Sequence, residues 1–199
     1  MLLGRVVKSN SHVDYVVQIF APGEVASPPR PEDYAFGSFV RIAVDGGDSL
    51  IGVIYDTLLL NPSYGTLGPR LSGEPERGTF APDYLPETMT VVGVAVLGLR
   101  SETPRGIVYR QGVPPLAARV GAEAHLLSDS DSEFVAFHRG ESGPVVAYLP
   151  RLAAMGNPAM PELLNGLLGR LIAAFPDNAA TLSVLQTNLD WTSRLVRHA

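Results

Sequence analysis

The chain contains no cysteine among its 199 residues. That absence excludes disulfide frameworks, cysteine-ligated zinc, thiol nucleophiles and iron–sulfur ligation together. Lysine is nearly absent too, with Lys8 standing alone among 15 basic residues. It lies in Arg5-Val6-Val7-Lys8-Ser9, outside any Gly-x-x-x-x-Gly-Lys-Ser/Thr sequence, so a P-loop is missing. No Gly-x-Gly-x-x-Gly follows a strand pattern, and no Gly-x-Ser-x-Gly elbow occurs. The formal net charge of −5 weighs against a broad nucleic-acid surface, which needs clustered positive charge. No apolar run approaches the roughly 18 residues that a membrane helix requires. Met1-Leu2-Leu3-Gly4-Arg5 lacks the basic stretch and apolar run of a signal peptide. A cytoplasmic chain without membrane contact is the expectation.

What is present describes a folded protein. Hydrophobic residues make up 46% and charged residues 18%, which argues against disorder. A chain of this length buries a core without staples. The first half reads as strands. Gly4–Val7 is short and apolar-rich, and His12–Phe20 alternates before closing apolar. Phe36–Val44 alternates clearly and is followed by the turn signal Gly46-Gly47-Asp48. Leu50–Leu60 is β-branched, and Thr90–Leu99 is apolar almost throughout. Such a run implies burial on both faces or a place in a closed barrel, with Gly93 and Gly98 marking bends or bulges. Ala124–Leu127 gives a last short strand. Short strands with Gly and Asp turns predict a small barrel or sandwich rather than βαβ units. Between 61 and 87 prolines alternate with glycines, which predicts a long loop.

The period then changes. Leu163, Leu164, Leu167, Leu168, Leu171, Ile172 and Phe175 fall on one helical face, with Pro161 in the first turn and Pro176 ending the helix. Asp177 or Asn178 suits the cap of a final helix striped by Leu182, Leu185, Leu189 and Val196. The two helices predict a hairpin. Trp191 lies off the stripe and is expected to pack on the barrel.

Candidate chemistry is sparse. His12, His125, His138 and His198 never fall at the spacing that places metal ligands on one helical face. His125 reads as a hydrogen-bonded structural residue in a strand. His138 reads as a positive group closing a short helix, with Gly140 supplying the terminal conformation. Asp129-Ser130-Asp131-Ser132-Glu133 has alternating oxygens, but Phe134 stands where a calcium loop needs glycine. A helix cap by Ser128 or Ser130 is the better reading. Asp83 and Glu87 flank Tyr84-Leu85-Pro86 without a nucleophile or metal partner beside them.

Three stretches carry a resemblance. Gly4–Val7 leads through Phe36–Arg41 to Ile51–Asp56; Pro82–Glu87 precedes the Val91–Leu99 strand; and Gly112–Pro115 is followed by Val120–Leu126. In this order they resemble the N-terminal barrel of HerA-type DNA-translocating ATPases, the HAS barrel, across residues 1–140. The resemblance implies a barrel that helps assemble a ring and docks a nuclease of the NurA type. It does not carry ATP hydrolysis, because the P-loop and RecA-like motor are missing, and no catalytic residue transfers with it.

Taken together, the expectation is an α+β chain with a small N-terminal β-barrel of about six strands over 1–140 and a helical segment over 141–199. The favoured function is a non-catalytic protein-interaction or assembly module, accessory to a HerA-type DNA-processing motor or nuclease. Its partner is another protein or a second copy, with no cofactor and no metal. Leu163, Leu167, Leu171 and Phe175 are the candidate interaction surface, covering either a barrel face or a partner. The alternatives are a small-ligand-binding barrel lidded by the 61–87 loop, and an enzyme using carboxylates at Asp83, Glu87 or the Asp129 cluster.

Overall fold

Strands whose two faces must both be buried dictate the architecture. A computed structural model describes residues 1–61, 89–127 and 132–197. Its strands are β1 (Leu2–Ser11), β2 (Asp14–Ile19), β3 (Phe39–Ala43), β4 (Ser49–Leu60), β5 (Met89–Thr103), β6 (Gly106–Gln111) and β7 (Glu123–Leu127). The order β2-β1-β7-β3-β4-β5-β6, together with a β2–β5 pairing, closes six of them into an antiparallel barrel. β6 stands outside the ring and extends the sheet beyond the end of β2, along the same edge of β5. Closure leaves no free edge around the ring itself. The expected loop between β4 and β5 lies outside the described residues.

The barrel interior is filled by Leu3, Val6, Tyr15, Val17, Ile42, Leu50, Ile54, Val94 and their neighbours, all nearly inaccessible to solvent. Space there is tight. A Cβ on Gly52 would lie 2.5 Å from Cγ1 of Val94 on the neighbouring strand, so glycine is what leaves room for that side chain. On β5 the even positions Val92, Val94 and Val96 point inward, whereas Ala95 and Leu97 point outward into a second cluster. The register with β4 slips at Leu97, because Ile51 pairs Gly98 while Gly52 pairs Val96. The extra residue shifts the phase, so Leu99 rather than Gly98 faces inward. A matching slip on β4 at Tyr55 sits opposite Gly93. Both glycines of the apolar run therefore mark bulges.

The outer faces of β3, β4 and β5 are covered by helices. These are α1 (Ser132–His138), α2 (Leu149–Ala153), α3 (Met160–Ala174) and α4 (Ala179–Arg197). Phe39, Ile51, Val53, Ala95 and Leu97 from the strands join Phe134, Phe137, Leu152, Leu163, Leu167 and Leu171 from the helices in one cluster. β5 is apolar on both faces because it serves both cores. The helical layer begins at Ser132, ahead of residue 140, so α1 belongs to the barrel's cover.

α3 carries a proline in its first turn, and Pro176 opens the short 3-10 turn Pro176–Asn178 that leads into α4. Leu182 and Leu189 of α4 pack with α3, and Gln186 donates to the Asn165 carbonyl, which makes the two helices a hairpin. Leu185 departs from the expected stripe and is part-exposed beside Val145. The side chains of Trp191 and Val196 lie outside the described residues.

Candidate functional site

The leucine face singled out on α3 takes the barrel rather than solvent. Leu163, Leu167 and Leu171 are buried on β3–β5, and Phe175 is half-buried beside them. Of the two alternatives, a barrel face or a partner, the helix covers the barrel. As a free interaction surface this set is therefore corrected: its apolar area is spent within the chain.

The free apolar surface lies elsewhere. β3 pairs β4 only up to Val53, with Gly37 and Ser38 extending the ladder to Ile54. Beyond that point β4 continues to Leu60 paired with β5 alone among the described residues. Leu58, Leu59 and Leu60 are 53%, 79% and 45% exposed there. Leu58 pairs Val91 and Leu59 pairs Thr90, so the strand is held on one side and has no strand on the other among the described residues. An edge without a strand partner among the described residues, carrying three exposed leucines in a row, is a template for association. The sequence carried the signal, since three consecutive leucines break the period of two, although the strand reading did not separate them from the core.

A second constellation binds the helices to the barrel. His138 ends α1 and is fully buried. Its Nδ1 lies 2.8 Å from the Phe134 carbonyl and its Nε2 lies 2.8 Å from the Tyr148 hydroxyl. The carbonyl can only accept, so Nδ1 carries the proton and Nε2 accepts from Tyr148. Burial pushes His138 down to about 4, the Phe134 bond opposes that, and Arg170 lowers it further. Burial likewise pushes the Tyr148 hydroxyl up. His138 therefore does close the helix, but as a neutral buried ring and not as a positive cap. Gly140 does not adopt a left-handed conformation either; Gly143 does, at φ +146°.

Around this ring, Arg170 of α3 lies 4.9 Å from the centroids of Phe39 and Phe134 and donates to the Gly37 carbonyl at 2.7 Å. The Gln111 amide donates to the carbonyls of Phe137 and Val145 and accepts from the Ala147 N–H. One side chain at the end of β6 thus gathers α1 and the connector that follows it. Arg151 of α2 donates to the Val96 carbonyl at the β5 bulge, and burial lowers its guanidinium.

Glu133 opens α1 and accepts from Arg100 at 2.8 Å and from Tyr109 at 3.2 Å, with Arg41 at 3.6 Å. Burial alone would lower Arg100, but Glu102 and Glu133 outweigh it and raise it. These groups tie α1 to the strands. His125 pairs with Glu123 on the outer face of β7, as a hydrogen-bonded strand residue. His12 sits in the β1–β2 turn and bonds the Pro114 carbonyl. Among the described residues no group of three or more His, Asp or Glu side chains is placed to hold a metal. Asp83, Glu87, Ser128, Asp129, Ser130, Asp131 and His198 lie outside the described residues. No helix among those described is long and apolar enough to cross a membrane.

The chain matches a protein family along nearly its whole length: residues 1–198 fit the domain of unknown function DUF8166. It belongs to that family. No curated protein matches the sequence. For this DUF8166 chain the match spans barrel and helices together, in keeping with a helical layer that shares one core with the strands.

Proposed function

We propose that this DUF8166 protein is a non-catalytic interaction or assembly module, accessory to a HerA-type DNA-processing motor or nuclease. The observation that carries the reading is the exposed Leu58-Leu59-Leu60 stretch on an edge of β4 that has no strand partner among the described residues. Exposed leucines at an open edge offer backbone hydrogen bonds and apolar anchors at once, and binding energy concentrates in a few such anchors. The motor as partner rests on the resemblance of the barrel stretches to HerA-type barrels, and the closed six-stranded ring is the architecture that this resemblance implies. The packed interior supports a surface-based role over a ligand-binding lumen, since Leu50, Ile42 and Val94 occupy the space a ligand would need.

The test is a mass measurement by light scattering on the full chain, alone and mixed with a HerA-type ATPase or a NurA-type nuclease. A higher-order species that is lost when Leu58, Leu59 and Leu60 are replaced by serine supports the proposal. A strictly monomeric chain that binds neither protein overturns it.

A further inference from the structure

Two cores meet on β3, β4 and β5, and they differ in composition. The barrel interior is built from aliphatic side chains, alanine and Tyr15. The outer core encloses His138. We propose that His138 is an acid-sensitive latch, whose neutral ring holds the helical layer on the barrel and whose protonation releases that layer while the barrel stays closed.

The geometry makes an added proton costly, because it reverses a buried hydrogen bond. Nδ1–H already serves the Phe134 carbonyl, and Nε2 already accepts from Tyr148. A second N–H at Nε2 would make the Tyr148 oxygen the acceptor and turn its hydroxyl hydrogen out of that bond, within a buried aromatic cage of Phe39, Phe134, Phe137 and Tyr148. The charged groups around the ring do not compensate. α3 contributes Arg170, a like charge for an imidazolium. β3 contributes Phe39, and its Arg41 turns to Glu133. α1 contributes Glu133, which Arg100 and Tyr109 engage. α2 contributes Arg151, whose guanidinium goes to the Val96 carbonyl. Glu133 is a carboxylate that joins α1 to the strands, so it is the rival explanation for any acid transition.

Site-resolved hydrogen exchange on the full chain between pH 7 and about pH 4 tests the latch. Below the ordinary histidine range near 6.5, amides of α1 and α3 lose protection while those of β1, β2 and β5 keep theirs. His138→Gln, which cannot titrate, moves that transition down by about one pH unit or more, whereas Glu133→Gln leaves it in place. Barrel and helices losing protection together, an unmoved transition in His138→Gln, or its removal by Glu133→Gln overturns the proposal. If His138→Gln does not fold at pH 7, nitrogen NMR of the ring in the unaltered chain decides. A neutral Nδ1–H ring that persists until the helical layer opens supports the latch. A ring that protonates near pH 6.5 under a still-protected layer contradicts it.

Discussion

A Cβ placed on Gly98 would lie 2.2 Å from the carbonyl oxygen of Arg110 and 2.9 Å from Cε2 of Phe137. β6 and α1 therefore press on the same point of β5, just after its bulge. Gly98→Ala is predicted to destabilise the chain by about 1–3 kcal/mol or more, because backbone and not a flexible side chain must move. Chemical denaturation checks this. A variant as stable as the parent would show that β5 and β6 are farther apart in solution.

The two sets of leucines should behave oppositely. Leu167→Ala removes a side chain buried between α3 and the strands and should cost about 2–5 kcal/mol. Leu59→Ser alters a side chain that is mostly in water and should stay within about 0.5 kcal/mol. Urea unfolding of both variants makes the comparison. Equal costs would mean that the end of β4 is covered within the chain.

Gln111 is predicted to act as a structural clamp. Gln111→Ala removes the bonds to the carbonyls of Phe137 and Val145 and to the N–H of Ala147, the last two within reach of water, for a loss of about 0.5–1.5 kcal/mol. Amide exchange should accelerate in α1 and the connector before it does in β1 or β2. Uniform acceleration across the chain would contradict a local clamp.

Acid should weaken the fold in a defined window. His138 titrates at about 4 when folded and near 6.5 when unfolded, so the unfolded chain binds the proton first as pH falls. Stability is complete above 6.5, declines as pH drops toward 4, and loses nothing further from this group below that, a total on the order of 3 kcal/mol. Thermal melts at stepped pH values read the decline. A flat profile between pH 6.5 and 4.5 would refute it.

Much of the barrel was legible because the period of two survives in β2 and in part of β3, and the unbroken apolar run of β5 announces two buried faces. Gly93 and Gly98 were readable as bulges for the same reason, since a glycine in a strand marks a close approach. β6 was not singled out: its residues face solvent for the most part, and Ile107-Val108 follows a turn without a clear alternation. The leucines of α3 were correctly placed on one face, yet periodicity cannot tell whether that face meets its own barrel or a partner. His138 was misread as a cation because proximity to a helix end is visible in sequence, whereas burial beneath Phe39 and Tyr148 comes only from the fold. The exposed leucines of β4 were hidden inside a good strand pattern. The pairing of β3 begins at Phe39 opposite Val53, so among the described residues no strand of that side reaches them.

The proposed interaction role rests on one stretch of chain, so one measurement bears on it most directly. Light-scattering masses should be taken for the full chain and for its Leu58→Ser, Leu59→Ser, Leu60→Ser variant, each with and without a HerA-type ATPase. The account predicts an assembled species for the parent that disappears in the folded variant. A parent that remains monomeric and unbound, or a variant that assembles as well as the parent, would contradict it.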